Sequence, residues 1–176
     1  KMYLIFCIIF LSMWCFSQYK TRNTQKIFNI DGVEFKVIHV PSGTFMLGAK
    51  EDLFIDETPQ TEICMKSFYI GETEVTRALW NVIMEDCKSN TNNAKENLYP
   101  ICNITFNDIS EFINRLNIKL KSELGNMKFR LPTEIEWEYA AKEAGNNNDY
   151  SYSGSNNVED VGWYEMNSFN GLHKVA

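Results

Sequence analysis

Residues 130–140, with the sequence RLPTEIEWEYA, carry several overlapping signals for the start of an α-helix. Pro132 has a fixed φ and no N–H to lose, so it suits the start of a helix. Thr133 and Glu136 have the T-x-x-E spacing of a capping box. Glu134 and Glu136 also place negative charge in the first turn, where the helix dipole favours it. The segment therefore predicts a stable helix that begins at a defined residue.

The apolar residues of this segment predict how the helix packs. Their spacing of i, i+3, i+4 and i+7 places them on one face of a helix about three turns long. That face consists of Trp137, Ala140, Ala141 and Ala144. We expect it to pack on a sheet formed by strands that come earlier in the chain.

The three glutamates of the segment have two candidate roles. Glu134 and Glu138 lie one helical turn apart, whereas Glu136 lies nearly opposite them. This spacing argues against a shared catalytic site, which is the alternative. We interpret all three as capping and salt-bridging groups, and we expect Arg130 to pair with one of them.

Alternation and glycine placement predict the strands. Residues 33–37 alternate apolar and charged side chains, which is typical of a half-buried strand. Residues 43–48 are bounded by glycines and predict a second strand that forms a hairpin with the first. Residues 61–70 predict a third strand, with Phe68 and Ile70 on its inner face. Residues 127–130 are expected to extend into the sheet.

Two further helices are predicted by their capping residues. Thr76 is expected to cap a helix with Leu79, Val82 and Ile83 on its apolar face. Thr105 and Asp108 approximate a second capping box. The helix that follows has an apolar face of Ile109, Phe112, Ile113, Leu116 and Leu120, and we expect it to end at Gly125 or Asn126. The polar stretches 86–99 and 145–157 predict surface loops.

Several segments resemble the formylglycine-generating enzyme family, also called the sulfatase-modifying factor family. RLPTEIEWEYA resembles its signature. The other similar segments follow the family's order and are Pro41–Ala49 (PSGTFMLGA), Asp56–Gln60 (DETPQ), Phe68–Met84 and Tyr99–Asn117. The resemblance implies an α+β domain of the sulfatase-modifying-factor type, related to the C-type lectin-like fold, with long loops and little regular secondary structure.

The resemblance also implies candidate functions. Members of the family use copper and oxygen to oxidise a sulfatase cysteine to formylglycine, and their copper-binding cysteine pair follows the RLPTE segment. This chain ends at Ala176, so we expect a C-terminally incomplete domain that lacks the catalytic half, and we assign no catalytic, cofactor-binding or metal-binding residue. The alternative is a non-catalytic binding or assembly module at the cell envelope. A third option is a sugar binder that uses Trp163 and Tyr164.

The N-terminal residues predict export. Tyr3–Phe16 is almost wholly apolar and has the length of a signal peptide, and Ser17 provides a cleavage site. We expect a signal peptide at 1–17, a linker at 18–32 and the family domain at 33–176, with a retained or lipidated anchor as the alternative. The exported protein would be periplasmic, cell-surface or secreted, without a membrane span in the mature chain.

The charge balance bears on the partners. The net charge is −6, and no basic patch suited to nucleic acid is visible. We therefore expect no nucleic-acid partner. The family resemblance and the predicted export imply instead an exported sulfatase or another cell-envelope protein.

Three cysteines remain after the signal peptide: Cys64, Cys87 and Cys102. Two alternatives remain for these cysteines. Either Cys87 and Cys102 form a disulfide, or all three thiols are unpaired. All three precede the RLPTE segment, whereas the family's copper-binding pair follows it. The resemblance therefore does not identify them with that pair.

Candidate metal ligands lie in two loops. Structural calcium is implied by the resemblance, and the carboxylates and amide that could bind it are Asp56, Glu57, Asp149, Glu159, Asp160 and Asn167. The alternative is that these side chains lie in solvated loops. His39 and His173 are isolated, and we interpret them as structural or solvated residues.

Overall fold

The fold consists of a small central sheet with helices on one face and a two-stranded ribbon with a further helix on the other. The structure is a computed structural model and describes residues 25–48, 59–85, 96–142, 150–169 and 171–175. The strands are β1 (Gln25–Ile30), β2 (Val33–Val40), β3 (Gly43–Leu47), β4 (Thr61–Met65) and β5 (Phe68–Gly71). The α-helices are α1 (Arg77–Met84), α2 (Phe106–Lys119), α3 (Lys121–Leu124) and α4 (Glu134–Ala141), and short 3-10 turns span Glu96–Leu98 and Val158–Asp160.

The central sheet is antiparallel and has the order β1-β2-β5. A two-residue turn, Asp31-Gly32, connects β1 to β2, and both residues have positive φ angles of 50° and 89°. Such turns match the twist of paired strands, and the glycine adopts this conformation without a steric cost. The prediction of a linker over 18–32 is therefore wrong for residues 25–30, because Phe28 and Ile30 in β1 are buried core residues.

One face of the sheet packs against helices α1 to α3. Val37 lies in this helical core, together with Phe28 and Ile30. The rings of Trp80 in α1 and Phe112 in α2 stack at 4.9 Å between their centroids. The contributions of the helices to this core are Leu79, Trp80, Ile83, Phe112, Leu116, Leu120 and Leu124.

The opposite face of the sheet packs against the ribbon β3-β4 and against α4. Val40, the last residue of β2, lies in this second core with Phe45, Tyr139 and Ala140. Phe68 and Ile70 pack against the same core, which confirms them as the inner face of their strand. Strand β2 therefore contributes to both cores.

Two strand predictions were wrong in their pairing. Strand β3 forms no hairpin with β2; it pairs with β4, with Phe45 opposite Ile63. The chain leaves the central sheet at Pro41, which has no N–H to donate to a ladder. The single strand predicted over 61–70 is two strands, β4 and β5, which are separated by two residues and belong to different sheets.

The helix capping predictions are confirmed. The Thr76 hydroxyl accepts from the backbone N–H of Leu79 at 3.1 Å. Thr105 and Asp108 form a reciprocal capping box at the start of α2, and the hydrogen bonds from Thr105 lower the pKa of the Asp108 carboxyl. The helix that Thr105 caps ends at Lys119, earlier than predicted, and Gly125, with φ of 57°, ends the separate short helix α3. In the ranges that the structure covers, no helix is both long and apolar enough to cross a bilayer.

Residues 127–130 form no strand, contrary to prediction. The side chain of Asn117 in α2 pairs instead with the backbone of Phe129. Its Oδ1 accepts from the Phe129 N–H at 2.7 Å, and its Nδ2 donates to the Phe129 carbonyl at 2.9 Å. The Asn117 amide thus takes the place of a neighbouring strand and satisfies both backbone groups.

Helix α4 is present with its capping box, but a different side chain docks it. Tyr139 is fully buried, its ring lies 5.0 Å from that of Phe45, and its hydroxyl donates to the carbonyl of Pro41 at 3.1 Å. Ala140 is buried as predicted, whereas Trp137 and Ala141 are half-buried and Ala144 lies outside the described residues. The predicted alanine and tryptophan face is therefore only partly correct.

Replacing Tyr139 should destabilise the fold strongly. We expect Tyr139→Ala to lower the free energy of unfolding by about 4 kcal/mol because it leaves a cavity between α4 and the ribbon. Tyr139→Phe should cost about 1 kcal/mol through the lost hydrogen bond. Urea denaturation measures both values. Phe169→Ala is the matched control, since Phe169 is 89% exposed, and equal losses in the control and in Tyr139→Ala would contradict the role of Tyr139.

Candidate functional site

An open cleft of about 400 Å³ lies beside the segment that leads into α4. It lies on the face of the sheet that carries Phe28 and Val37, beside the end of β2 and the start of β5. Its lining residues come from β1, β2, β5 and residues 124–136, and include Lys26, Phe28, Val37, His39, Tyr69, Leu124, Met127, Lys128, Phe129, Arg130, Pro132 and Glu136. The cleft thus contains the start of the RLPTE segment.

Aromatic and cationic side chains form the sheet side of the cleft. His39 and Tyr69 are directly opposite each other in the β2-β5 ladder, and their rings meet edge to face at 5.1 Å. The Lys26 ammonium lies 5.0 Å from the centroid of the Tyr69 ring and 3.5 Å from the sulfur of Met127. A cation over an aromatic face is attracted by the ring quadrupole. These side chains therefore form an apolar surface with a positive charge on it.

The opposite side of the cleft contains an ion pair. Both terminal nitrogens of Arg130 donate to Glu136, at 2.6 and 2.5 Å, and the Thr133 N–H donates to the same carboxylate at 2.9 Å. The hydrogen bonds from Arg130 hold the pKa of Glu136 at about 2, below its ordinary value of 4.5. The pKa of Arg130 is raised by the same hydrogen bonds. The expected pairing of Arg130 with one of the glutamates is confirmed.

Of the other two glutamates, Glu138 has a structural role and Glu134 has no partner in the described part of the chain. The Glu138 carboxylate accepts from Lys142 at 2.5 Å and from the Gly48 N–H at 3.1 Å, which ties α4 to the end of β3. Glu134 is exposed and forms neither a hydrogen bond nor an ion pair within the described ranges, so the capping or salt-bridging role predicted for it is wrong there. Catalytic pairing of these carboxylates is not supported by the geometry, since Glu136 and Glu138 hold different structural contacts.

The cleft is positive overall. Its lining has three permanent cations, Lys26, Lys128 and Arg130, and one carboxylate, Glu136. Arg130 and Glu136 neutralise each other. Lys26 and Lys128 have no carboxylate within ion-pair distance in the part of the chain that the structure describes. Two uncompensated positive charges therefore face an apolar surface, in a chain whose net charge is −6.

The remaining aromatic and histidine candidates lie in the C-terminal segment. Trp163 and His173 stack with their ring centroids 3.7 Å apart, and the His173 ring contacts the Ser168 carbonyl. One face of the Trp163 ring is therefore occupied by His173, and Trp163 is partly exposed. His173 has the structural role that we predicted.

The described thiols do not fit a copper site. Cys64 is a free, exposed thiol on the outer face of β4, and Cys102 is a free thiol 4.0 Å from the guanidinium of Arg77. The two cysteines lie on opposite sides of the central sheet, because the neighbours of Cys64 pack in the ribbon core and those of Cys102 in the helical core. The alternative of a disulfide between Cys87 and Cys102 falls on Cys87, which lies outside the described residues.

The calcium candidates within the described ranges form no common site. Asp160 accepts hydrogen bonds from the side chains of Ser155 and Asn157. Asn167 closes a separate turn with Tyr164 and Gly162. Among the residues that are described, no three His, Cys, Asp or Glu side chains could hold a metal ion together. The candidates Asp56, Glu57 and Asp149, like the predicted signal peptide, lie outside them.

The residues that give the cleft its positive charge and its aromatic surface were not identified from the sequence. Lys26 fell within the predicted linker, and Tyr69 and Lys128 had no motif around them. The available signal was the alternation of Lys26, Phe28 and Ile30, which places a lysine on the buried face of an apolar strand.

Comparison with known families gives one extended match. The model of the Sulfatase-modifying factor enzyme 1-like domain matches residues 31–175. The chain is also 33% identical to Chaperone protein LppX from Paenibacillus barcinonensis, in an alignment that covers 60% of this chain and 47% of that protein. The chain therefore spans about half the length of this curated relative.

Two solved structures are similar to the fold. Treponema denticola variable protein 1 has a TM-score of 0.72 and 25% identity, over 87% of this chain and 69% of that chain. PvdO from Pseudomonas aeruginosa has a TM-score of 0.53 and 18% identity, over 76% of this chain and 59% of that chain. The PvdO likeness concerns the fold alone.

The ion pair beside the cleft should make stability depend on pH. The pKa of Glu136 is depressed in the folded state, so its contribution is present above about pH 4.5 and is lost as the pH falls towards 2. We expect Glu136→Gln to lower the free energy of unfolding by about 2 kcal/mol at pH 7 and by much less near pH 2.

Thermal and urea unfolding between pH 2 and 7 measure this difference. Glu134→Gln is the control in the same first turn, and it should change stability by no more than about 0.5 kcal/mol. If the free energy of unfolding varies with pH in the same way in the wild type and in Glu136→Gln, the assignment of this pH dependence to Glu136 is contradicted.

Proposed function

The chain belongs to the sulfatase-modifying factor family, and from this premise we propose that it is an exported polypeptide-binding module of the cell envelope. Its partner would be another exported or cell-envelope protein. The observation that carries this proposal is the open cleft beside the family signature. Lys26 and Lys128 line its apolar and aromatic surface, and neither has a carboxylate partner among the described residues. A cleft of this kind provides contact area and charge for a ligand.

The hydrogen bonds and ion pairs of the signature residues support a binding role. Arg130, Thr133 and Glu136 are engaged with one another. Glu138 and Lys142 are engaged with the end of β3. These groups therefore hold α4 in place, and Arg130 and Glu136 line the cleft as an ion pair rather than as a free acid or base.

The name of the similar curated protein agrees with this proposal. Chaperone protein LppX is 33% identical to the chain, and a chaperone binds other polypeptides. Export is part of the proposal and rests on the apolar run Tyr3–Phe16. The finer fold assignment, a relation to the C-type lectin-like fold, rests on the family resemblance and on the small central sheet.

Oxidation of a sulfatase cysteine is the second candidate function, and it is favoured by the family that the chain matches. That chemistry needs copper held by soft thiolates. The described thiols, Cys64 and Cys102, do not fit this requirement, so the copper-binding pair would have to lie elsewhere in the protein. Structural calcium, likewise implied by the family, would need ligands beyond the described residues.

Binding is tested with an unfolded client protein. The purified protein is mixed with reduced, unfolded α-lactalbumin, and aggregation is followed by light scattering. We expect the protein to slow aggregation at roughly stoichiometric amounts, whereas serum albumin at the same concentration serves as the control. Aggregation at the same rate with the protein and with albumin would refute the binding role.

The oxidase alternative has its own test. The protein is loaded with copper and incubated in air with a peptide that contains a C-x-P-x-R motif, and the product is analysed by mass spectrometry. We expect no conversion of the cysteine to an aldehyde. Copper-dependent aldehyde formation would establish the oxidase in place of the binding module.

A further inference from the structure

We propose that the cleft binds acidic polypeptide segments that contain an aromatic side chain. This inference rests on the proposed function and specifies the ligand of the same site. It follows from the charge of the cleft, from its apolar lining and from its open shape.

The charge of the cleft selects for an anion. Lys26 and Lys128 contribute positive charge that no described carboxylate neutralises, whereas the charge of Arg130 is neutralised by Glu136. The rest of the chain is acidic, with a net charge of −6. A local positive site in an acidic protein attracts a segment of opposite charge and disfavours basic segments at the surrounding surface.

The lining selects for an apolar ring. Phe28 and Val37 are buried at the sheet side of the cleft, and Tyr69, which is 37% exposed, forms part of its wall. Met127, across from Lys26, adds a flexible and polarisable side chain. An aromatic side chain of the ligand would pack against these groups, while the neighbouring carboxylates reach the ammonium of Lys26.

The shape of the cleft favours a polypeptide over a small molecule. The volume of about 400 Å³ is large enough for one inserted side chain and falls in the range of small-molecule pockets, so the preference for a polypeptide rests on the open shape of the cleft. The cleft is open, and its rim residues Met127 and Lys128 are exposed. A chain segment can therefore enter and leave along the surface, with one side chain inserted.

Isothermal titration calorimetry with short synthetic peptides tests this ligand class. The first peptide alternates aspartate and phenylalanine, the second replaces each aspartate with lysine, and the third replaces each phenylalanine with serine. We expect the first peptide to bind at least about tenfold more tightly than the other two, and its affinity to fall as salt is added. Equal affinities for the aspartate and lysine peptides would overturn the proposal.

Substitutions of the cleft lysines test whether the first peptide binds in the cleft. The double variant with Lys26→Gln and Lys128→Gln should bind the first peptide about tenfold more weakly. Lys26→Arg should retain the affinity, because it preserves the charge. Lys174→Gln is the matched control, since Lys174 is exposed and lies outside the cleft lining. Unchanged affinity in the double variant would overturn the assignment to this site.

The two experiments together distinguish an error in the ligand class from an error in the proposed binding function. Circular dichroism establishes that each variant is folded before it is titrated. If the wild type slows aggregation of the unfolded client but does not distinguish the peptides, the binding function stands and the ligand class is wrong. If it neither slows aggregation nor binds any peptide, both are wrong.

Discussion

The structure depends on the burial of both faces of strand β2. Val37 faces the helical core and Val40 faces the core under α4, and both residues are buried. Because side chains alternate along a strand, a shift of one residue in its pairing would move each set into the core that is packed for the other. The ladders with β1 and β5 prevent this shift and place His39 opposite Tyr69. The position of the cleft is therefore a consequence of the register of one strand.

The RLPTE segment combines a local capping motif with tertiary anchoring. The Glu136 carboxylate accepts from the Thr133 N–H and from Arg130, so one side chain both starts α4 and fixes the residues that precede it. Tyr139 then docks the helix with its ring in the ribbon core. Polar groups that form their hydrogen bonds with one another in this way make this side of the cleft rigid. The adjacent Lys26 and Lys128 are outside that network, which is why their charge is available to a ligand.

Features that depend on neighbours in sequence could be predicted. The caps at Thr76, Thr105 and Thr133 were correct because a capping bond spans only three residues. Pairing between strands was not predictable in the same way. Strands β3 and β2 are close in sequence, yet β3 pairs with β4. Residues 127–129 have an extended pattern, yet the Asn117 side chain supplies the hydrogen bonds that a strand would have supplied.

The sequence by itself determined the family, the capped helices and the pairing of Arg130 with a glutamate, because motifs and local hydrogen bonds are set by short spacings. Only the tertiary structure decided that β1 belongs to the central sheet and that Tyr139, rather than Trp137, is the fully buried anchor of α4. It also brought Lys26 and Lys128 to one cleft across about a hundred residues of chain. The physical reason is that burial and charge balance are sums over contacts that are distant in sequence, and local patterns do not contain them.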